Sequence, residues 1–335
     1  MALTFGISFA PNHPKEVAEW CRAAEDCGFE RVGLVDSQSI YRELYVTCTA
    51  GLQATGRIQI GPRVTNALTR HPSVTASALV SMAELSGGRV FAGIGTGDSA
   101  LINIGLKPIK LAALGEFLSC IRALMRGETV QHQGREMKLT WAKADVPIYV
   151  SAHGPKTLEF SGGHADGVIY GDGVGKEVVR DALASVAAGA AMAGRRTEDV
   201  DIWWGLCGNV GASREQALAE IRMLLAAKAN HLARFPGENK HVPPEFRDVL
   251  DRIHQSYSYL EHQKPGATTN ARLVKESGLE DYLAGRYAIA GAPEECVARL
   301  RELENMGVRK IWLNVHFEDK LGFMKKWSRE VMAKL

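Results

Sequence analysis

Four stretches of the sequence carry residue types that can do chemistry, and each follows an apolar run. Gly93-Ile94-Gly95-Thr96-Gly97-Asp98 closes the run 89–95. Its glycines let the backbone approach a flat ligand, and they do not match the G-x-G-x-x-G spacing of a dinucleotide loop. Ser151-Ala152-His153-Gly154-Pro155-Lys156 and Gly171-Asp172-Gly173-Val174-Gly175-Lys176 each lead into a helical segment. Free backbone N–H groups at a helix start, with the helix dipole behind them, bind phosphate. Together the two turns form a candidate phosphate cradle. Thr65 and Asn66 follow the run 57–64; a hydroxyl and an amide there can satisfy the polar edge of a ring system.

Two histidines are candidates for catalytic proton transfer. His13 follows the first apolar run, 3–9, and His71 stands directly before the helical segment 72–86. An imidazole titrates near neutral pH and can move a proton there. Each has a structural alternative: His13 as a loop residue, His71 as the residue that holds the helix start. His231, His241, His254 and His262 form no close i,i+4 pair and no H-E-x-x-H, so no metal site is expected. There is no G-x-S-x-G elbow, which leaves a serine hydrolase without support.

The elements that must position these residues alternate. Apolar runs occur at 3–9, 30–35, 57–64, 89–95, 147–151, 166–170, 201–210 and 309–315. Runs apolar on both faces suit buried parallel strands. Helical segments lie between them, among them 14–27, 72–86 with Pro72 in its first turn, and 293–306 with Gly307 after it. Eight strand–helix units predict one α/β domain, a (β/α)8 TIM barrel over 1–335. Residues 127–142, centred on Gln133-Gly134, predict a β-hairpin insertion. Residues 235–285 predict a long helical insertion before strand eight, placed over the site or at a subunit contact.

Composition narrows the class. The 335 residues are 46% hydrophobic and 23% charged, with Lys+Arg 40 against Asp+Glu 38 and a net charge of +2. That balance offers no nucleic-acid surface. No run is long enough to span a membrane and no secretory leader is visible. The six cysteines lack a C-x-x-C pair and sit mostly in apolar stretches, the pattern of reduced thiols in a cytoplasmic protein.

The chain also resembles the luciferase-like monooxygenase superfamily, within it most of all the methylenetetrahydromethanopterin-reductase-like branch. The resemblance rests on Gly61-Pro62-Arg63-Val64-Thr65-Asn66, Thr69-Arg70-His71-Pro72, Leu85-Ser86-Gly87-Gly88-Arg89, the 93–98 and 151–156 turns, Ala165-Asp166-Gly167-Val168-Ile169 and Gly291-Ala292-Pro293-Glu294-Glu295-Cys296. These run in the family's order along nearly the whole chain. The resemblance implies a flavin or deazaflavin ring over the strand tops, bound by Asp36, Val64, Thr65, Asn66, Gly95, Thr96, Gly97 and Asp98. It places the cofactor phosphate among Ala152, His153, Gly154, Pro155, Gly171, Asp172, Gly173 and Val174. It also implies a non-prolyl cis peptide at Arg63–Val64 and pairing of copies through helices near 41–55 and 72–86, giving a homodimer or larger assembly. Deazaflavin-dependent alcohol and sugar-phosphate dehydrogenases of the superfamily carry histidine where this chain has Ser37, which disfavours an alcohol dehydrogenase.

The leading expectation is therefore a reduced-FMN-dependent monooxygenase acting on a small organic substrate and fed by a separate flavin reductase. The alternative cofactor is deazaflavin (coenzyme F-420), in a hydride-transfer reductase or dehydrogenase. A third reading is a barrel that binds a ligand or partner without catalysis.

Overall fold

A computed structural model describes residues 3–234, 237, 240–262 and 264–335. Among the described residues the strands are, in chain order, β1 (Thr4–Phe9), β2 (Arg31–Leu34), β3 (Gln59–Pro62), β4 (Thr65–Asn66), β5 (Ala92–Gly95), β6 (Val130–His132), β7 (Arg135–Met137), β8 (Ile148–Ala152), β9 (Gly167–Tyr170), β10 (Asp201–Val210), β11 (Ala288–Gly291) and β12 (Lys310–Asn314). The helices are α1 (Pro14–Asp26), α2 (Leu44–Ala54), α3 (Pro72–Ser86), α4 (Ser99–Ile102), α5 (Leu111–Met125), α6 (Pro155–His164), α7 (Lys176–Met192) and α8 (Arg214–Arg234). They continue with α9 (Arg247–Ser256), α10 (Thr269–Ser277), α11 (Glu280–Tyr287), α12 (Pro293–Asn305) and α13 (Lys320–Glu330).

All strands but β6 and β7 join one parallel sheet in the order β3-β2-β1-β12-β10-β9-β8-β5-β4. β4 continues β3 after Arg63–Val64, whose peptide bond is cis, as the resemblance implied. The two ends of that order therefore belong to one broken strand, and an Ile60–Val90 bridge ties the ring shut. This is the expected TIM barrel. Closure needs two glycines. A Cβ at Gly61 would lie 2.0 Å from the Phe91 carbonyl oxygen, and one at Gly93 would lie 2.3 Å from that of Pro62. Neither obstacle is a side chain that can swing away, so Gly61→Ala is expected to cost at least the ~1–3 kcal/mol typical of overpacking. Urea unfolding measures it, and a midpoint equal to wild type would refute this view of closure.

The barrel interior below the strand tops is solid. Phe91, Tyr149, Ile169, Trp203 and Trp312 pack as one cluster with Val64 against it. Arg31 lies over the rings of Tyr149 and Trp203 at 4.6 and 4.8 Å, with Asp201 at 3.5 Å. A ligand therefore has room only toward the C-terminal ends, where barrel enzymes bind theirs.

Three features refine the sequence reading. The hairpin forms as β6 and β7, antiparallel, with Gln133 at φ 50° and Gly134 at φ 75°, the left-handed pair a two-residue turn demands. The insertion is helical where described, with α9, α10 and α11 packed against α8; Phe235, Pro236, Glu238, Asn239 and Gln263 lie outside the described residues. It does not lead directly to the eighth strand. β11 intervenes and pairs with Cys207–Val210, the far half of the ten-residue β10. Its four residues, Ala-Ile-Ala-Gly, are too short to show a period.

Candidate functional site

A cavity of about 370 Å³ opens at the C-terminal ends of the strands. From the expected cofactor residues it gathers Asp36, Val64, Thr65, Asn66, Gly95, Thr96, Gly97, Asp98, His153 and Gly171. A larger groove of about 850 Å³ lies between the insertion and residues 317–319, and none of the expected residues lines it.

The best-defined corner is built from the ends of β2 and β4. Asp36 is buried, and its carboxylate accepts the Thr65 hydroxyl at 2.6 Å and Arg70 Nη1 at 2.6 Å. Arg70 also donates to Glu43 at 2.8 Å and lies over the Tyr45 ring. The Asn66 amide oxygen accepts the Leu68 and Thr69 N–H groups, which turns its Nδ2 inward, buried and without a partner. The Ser37 hydroxyl is likewise buried and unpartnered beside Asp36. Gly97 adopts φ 106°, and a Cβ there would lie 2.1 Å from Leu101, so the 96–98 loop depends on glycine.

The roof comes from the insertion side. Leu224, Ala227, Lys228, His231 and Arg234 of α8 line the cavity, and Arg234 reaches Asp98 at 3.1 Å. Lys240 bridges the two expected phosphate turns, donating to the His153 carbonyl at 2.7 Å and the Asp172 carboxylate at 2.8 Å. Arg286 fills the space beside Gly173, where a Cβ would lie 2.6 Å from its Cγ. Asp172 and Val174 are buried there, and neither Gly173 nor these two line the cavity. Ala152, Gly154 and Pro155 also lie outside the lining; Gly154 caps α6 with open space around it.

The two catalytic candidates require correction. His13 and His71 are exposed and absent from the lining; each is a helix N-cap. His13 Nδ1 accepts the Lys15 N–H at 3.2 Å, and His71 Nδ1 accepts that of Ser73 at 3.3 Å. An N–H orphaned at a helix start captures such a side chain. The cavity histidines are instead His153, His231, His262 and His316. Burial holds all four below the ordinary imidazole range, His231 and His316 at about 3, so they are neutral at pH 7. Sequence reasoning missed His316, Asn314 and Lys228. Asn314 lies near the end of the 309–315 run and His316 directly follows it, at the barrel mouth; Lys228 is a single cation in the apolar helix stretch Leu224–Ala229. Tyr41 also lines the cavity.

One trio, His153, Asp172 and His231, brings three ligand atoms within 4.8 Å of one another. Lys240 and Arg286 already flank the Asp172 carboxylate at 2.8 and 3.4 Å. A metal ion there would meet that positive field.

A family model described as luciferase-like monooxygenase matches residues 4–310. The chain belongs to this family. It is 30% identical to a 5,10-methylenetetrahydromethanopterin reductase of Methanolobus tindarius, covering 92% of this chain and 93% of the relative. It is 27% identical to an F420-dependent glucose-6-phosphate dehydrogenase of Amycolatopsis mediterranei, covering 96% and 95%. Among solved structures, the coenzyme F420 dependent tetrahydromethanopterin reductase from Methanopyrus kandleri superposes with a TM-score of 0.81 at 23% identity, over 100% of this chain and 99% of that one. Among the described residues no helix is long and apolar enough to cross a membrane.

Proposed function

We propose that this family member is a deazaflavin-dependent oxidoreductase, moving hydride between coenzyme F420 and a small organic substrate. The observation that carries this reading is end-to-end similarity to a reductase and to an F420-dependent dehydrogenase. The expected reduced-FMN monooxygenase with its separate flavin reductase has less support, because these relatives reduce or dehydrogenate. The site fits a ring with polar edges: Asn66 Nδ2, the Ser37 hydroxyl and both His316 nitrogens are buried without partners around the cavity.

When bound, a deazaflavin supplies a two-electron carrier that gives or takes hydride. Val64 would back the ring, with Asp36, Thr65, Asn66 and Gly95–Asp98 along its edge. His153 and Gly171, the residues of the two expected phosphate turns that line the cavity, would face its phosphate. The Arg70–Asp36 pair fixes the Thr65 hydroxyl, the neutral histidines offer ring nitrogens without adding charge, and α8 covers the cavity. Supplying reduced deazaflavin without oxygen and following its oxidation against a panel of unsaturated organic substrates tests this function. Anaerobic turnover is expected; turnover that demands reduced FMN and oxygen would reverse it.

We also propose that two copies pair through α2 and α3. Val46, Val74 and Leu85 on these adjacent helices are 59%, 54% and 50% exposed, apolar surface that a second copy would cover. Light scattering should find a dimer that V46E/V74E turns into a monomer. A monomeric wild type would end the idea.

A further inference from the structure

The cavity holds two cations that no carboxylate pairs among the described residues. Arg63 Nη1 donates to the Asn314 amide oxygen at 2.6 Å, and the guanidinium lies over the Trp312 ring at 5.0 Å. Its Nε is buried with no partner. Lys228 Nζ donates to the Gly171 carbonyl at 2.9 Å and sits 5.6 Å from the Tyr287 ring centre. That leaves the ammonium two further N–H donors. The carboxylates lining the cavity are already matched, Asp36 by Arg70 and Asp98 by Arg234.

Burial pulls the Arg63 guanidinium down to about 10 and moves Lys228 in the same direction. Arg63 stays charged at pH 7, and Lys228 lines the same cavity. Their field, added to burial, helps hold His153 far below the ordinary imidazole range. A desolvated cation without a counter-ion is costly, yet the barrel makes room for one. A Cβ at Gly33 would lie 2.5 Å from Arg63 Cβ, and one at Gly205 would lie 2.6 Å from Arg63 Nη2. Side-chain packing on two strands is forgone where this guanidinium sits.

We propose that Arg63 and Lys228 form an anion-receiving subsite in the cavity, so that the organic substrate carries a carboxylate or a comparable small oxyanion. The subsite rests on the reading of this cavity as the place of hydride transfer. The same chemistry could be supplied by the acyl-imide edge of the deazaflavin ring, and the experiment separates the two sources. An arginine suits a planar carboxylate because its N–H groups form a fixed fork.

The test is calorimetric titration of the full-length chain, with and without saturating deazaflavin, using oxalate and its uncharged analogue oxamide. Oxalate, and not oxamide, is expected to bind the loaded wild type. Arg63→Met and Lys228→Met should each weaken oxalate at least tenfold, Arg63→Lys less, with deazaflavin affinity changed less than threefold. Oxalate binding unchanged by all three substitutions, or absent from the loaded wild type, overturns the substrate subsite. A tenfold loss of deazaflavin affinity in the two methionine variants, with no oxalate taken up by the loaded wild type, assigns the anion to the ring and likewise overturns it. If the wild type takes no deazaflavin but binds oxalate through Arg63 and Lys228, the subsite stands and the proposed cofactor falls. Lys228→Met and Arg63→Lys keep the test decisive where Arg63→Met does not fold.

Discussion

Replacing Asp36 by alanine is expected to destabilise the protein by about 3 kcal/mol and to abolish measurable deazaflavin turnover. The Asp36 side chain is 2% exposed and that of Arg70 16%. Removing one member of a buried pair strands the other, a change that typically costs about 3–5 kcal/mol. The lower end applies because Arg70 keeps Glu43 at 2.8 Å. Thr65 loses its 2.6 Å acceptor in the same step, so its hydroxyl is free to rotate at the edge of the cavity. A double substitution, D36A with Arg70→Met, removes both charges and should recover part of the lost stability without recovering turnover. Urea unfolding of the two variants decides the first point. An Asp36→Ala midpoint within error of wild type would mean that the pair contributes little and that the corner is held by packing alone.

Acid is expected to destabilise the protein from about pH 6.5 downward, well above the range where carboxylates titrate. His316 is buried, neither ring nitrogen has a partner, and burial holds it at about 3 against 6.5 when unfolded. Between those values the unfolded chain binds a proton that the folded chain does not, so stability falls as pH falls. The neutral form contributes fully above pH 6.5, and the contribution is lost progressively toward pH 3. From pH 7 to pH 5 the loss is about 2 kcal/mol for His316, and His231, also at about 3, acts in the same direction. His316→Asn removes one titrating group and should flatten the profile by about 2 kcal/mol across that interval. A stability curve with the same slope in both proteins would show that His316 takes its proton inside the fold.

The barrel was legible because each strand is a short run apolar on both faces, and the helix starts because proline at 14, 72 and 293 marks a first turn. The same local signal misled at His13 and His71. From sequence, a histidine beside a strand top is indistinguishable from one whose Nδ1 caps the next helix. Glycine turns identified the 93–98 and 151–154 regions but gave no hint that Arg286, 113 residues after Gly173, would fill the space beside it. Arg63 entered only as the residue before the cis bond. Its unpaired charge emerges when Asn314 and Trp312 of β12 meet Gly205 of β10 around it, and no local period encodes that meeting. β11 escaped because its pairing is to a strand about 80 residues earlier.

Which cofactor the cavity accepts decides between hydride transfer and oxygen chemistry. Anaerobic equilibrium titration of the apoprotein with deazaflavin and with FMN, each oxidised and reduced, measures it directly. The prediction is deazaflavin bound at least tenfold more tightly than FMN in both redox states, with Asp36→Ala losing that preference. Tight binding of reduced FMN, with deazaflavin weak or unbound, would contradict the proposed hydride-transfer function and return the chain to oxygen chemistry.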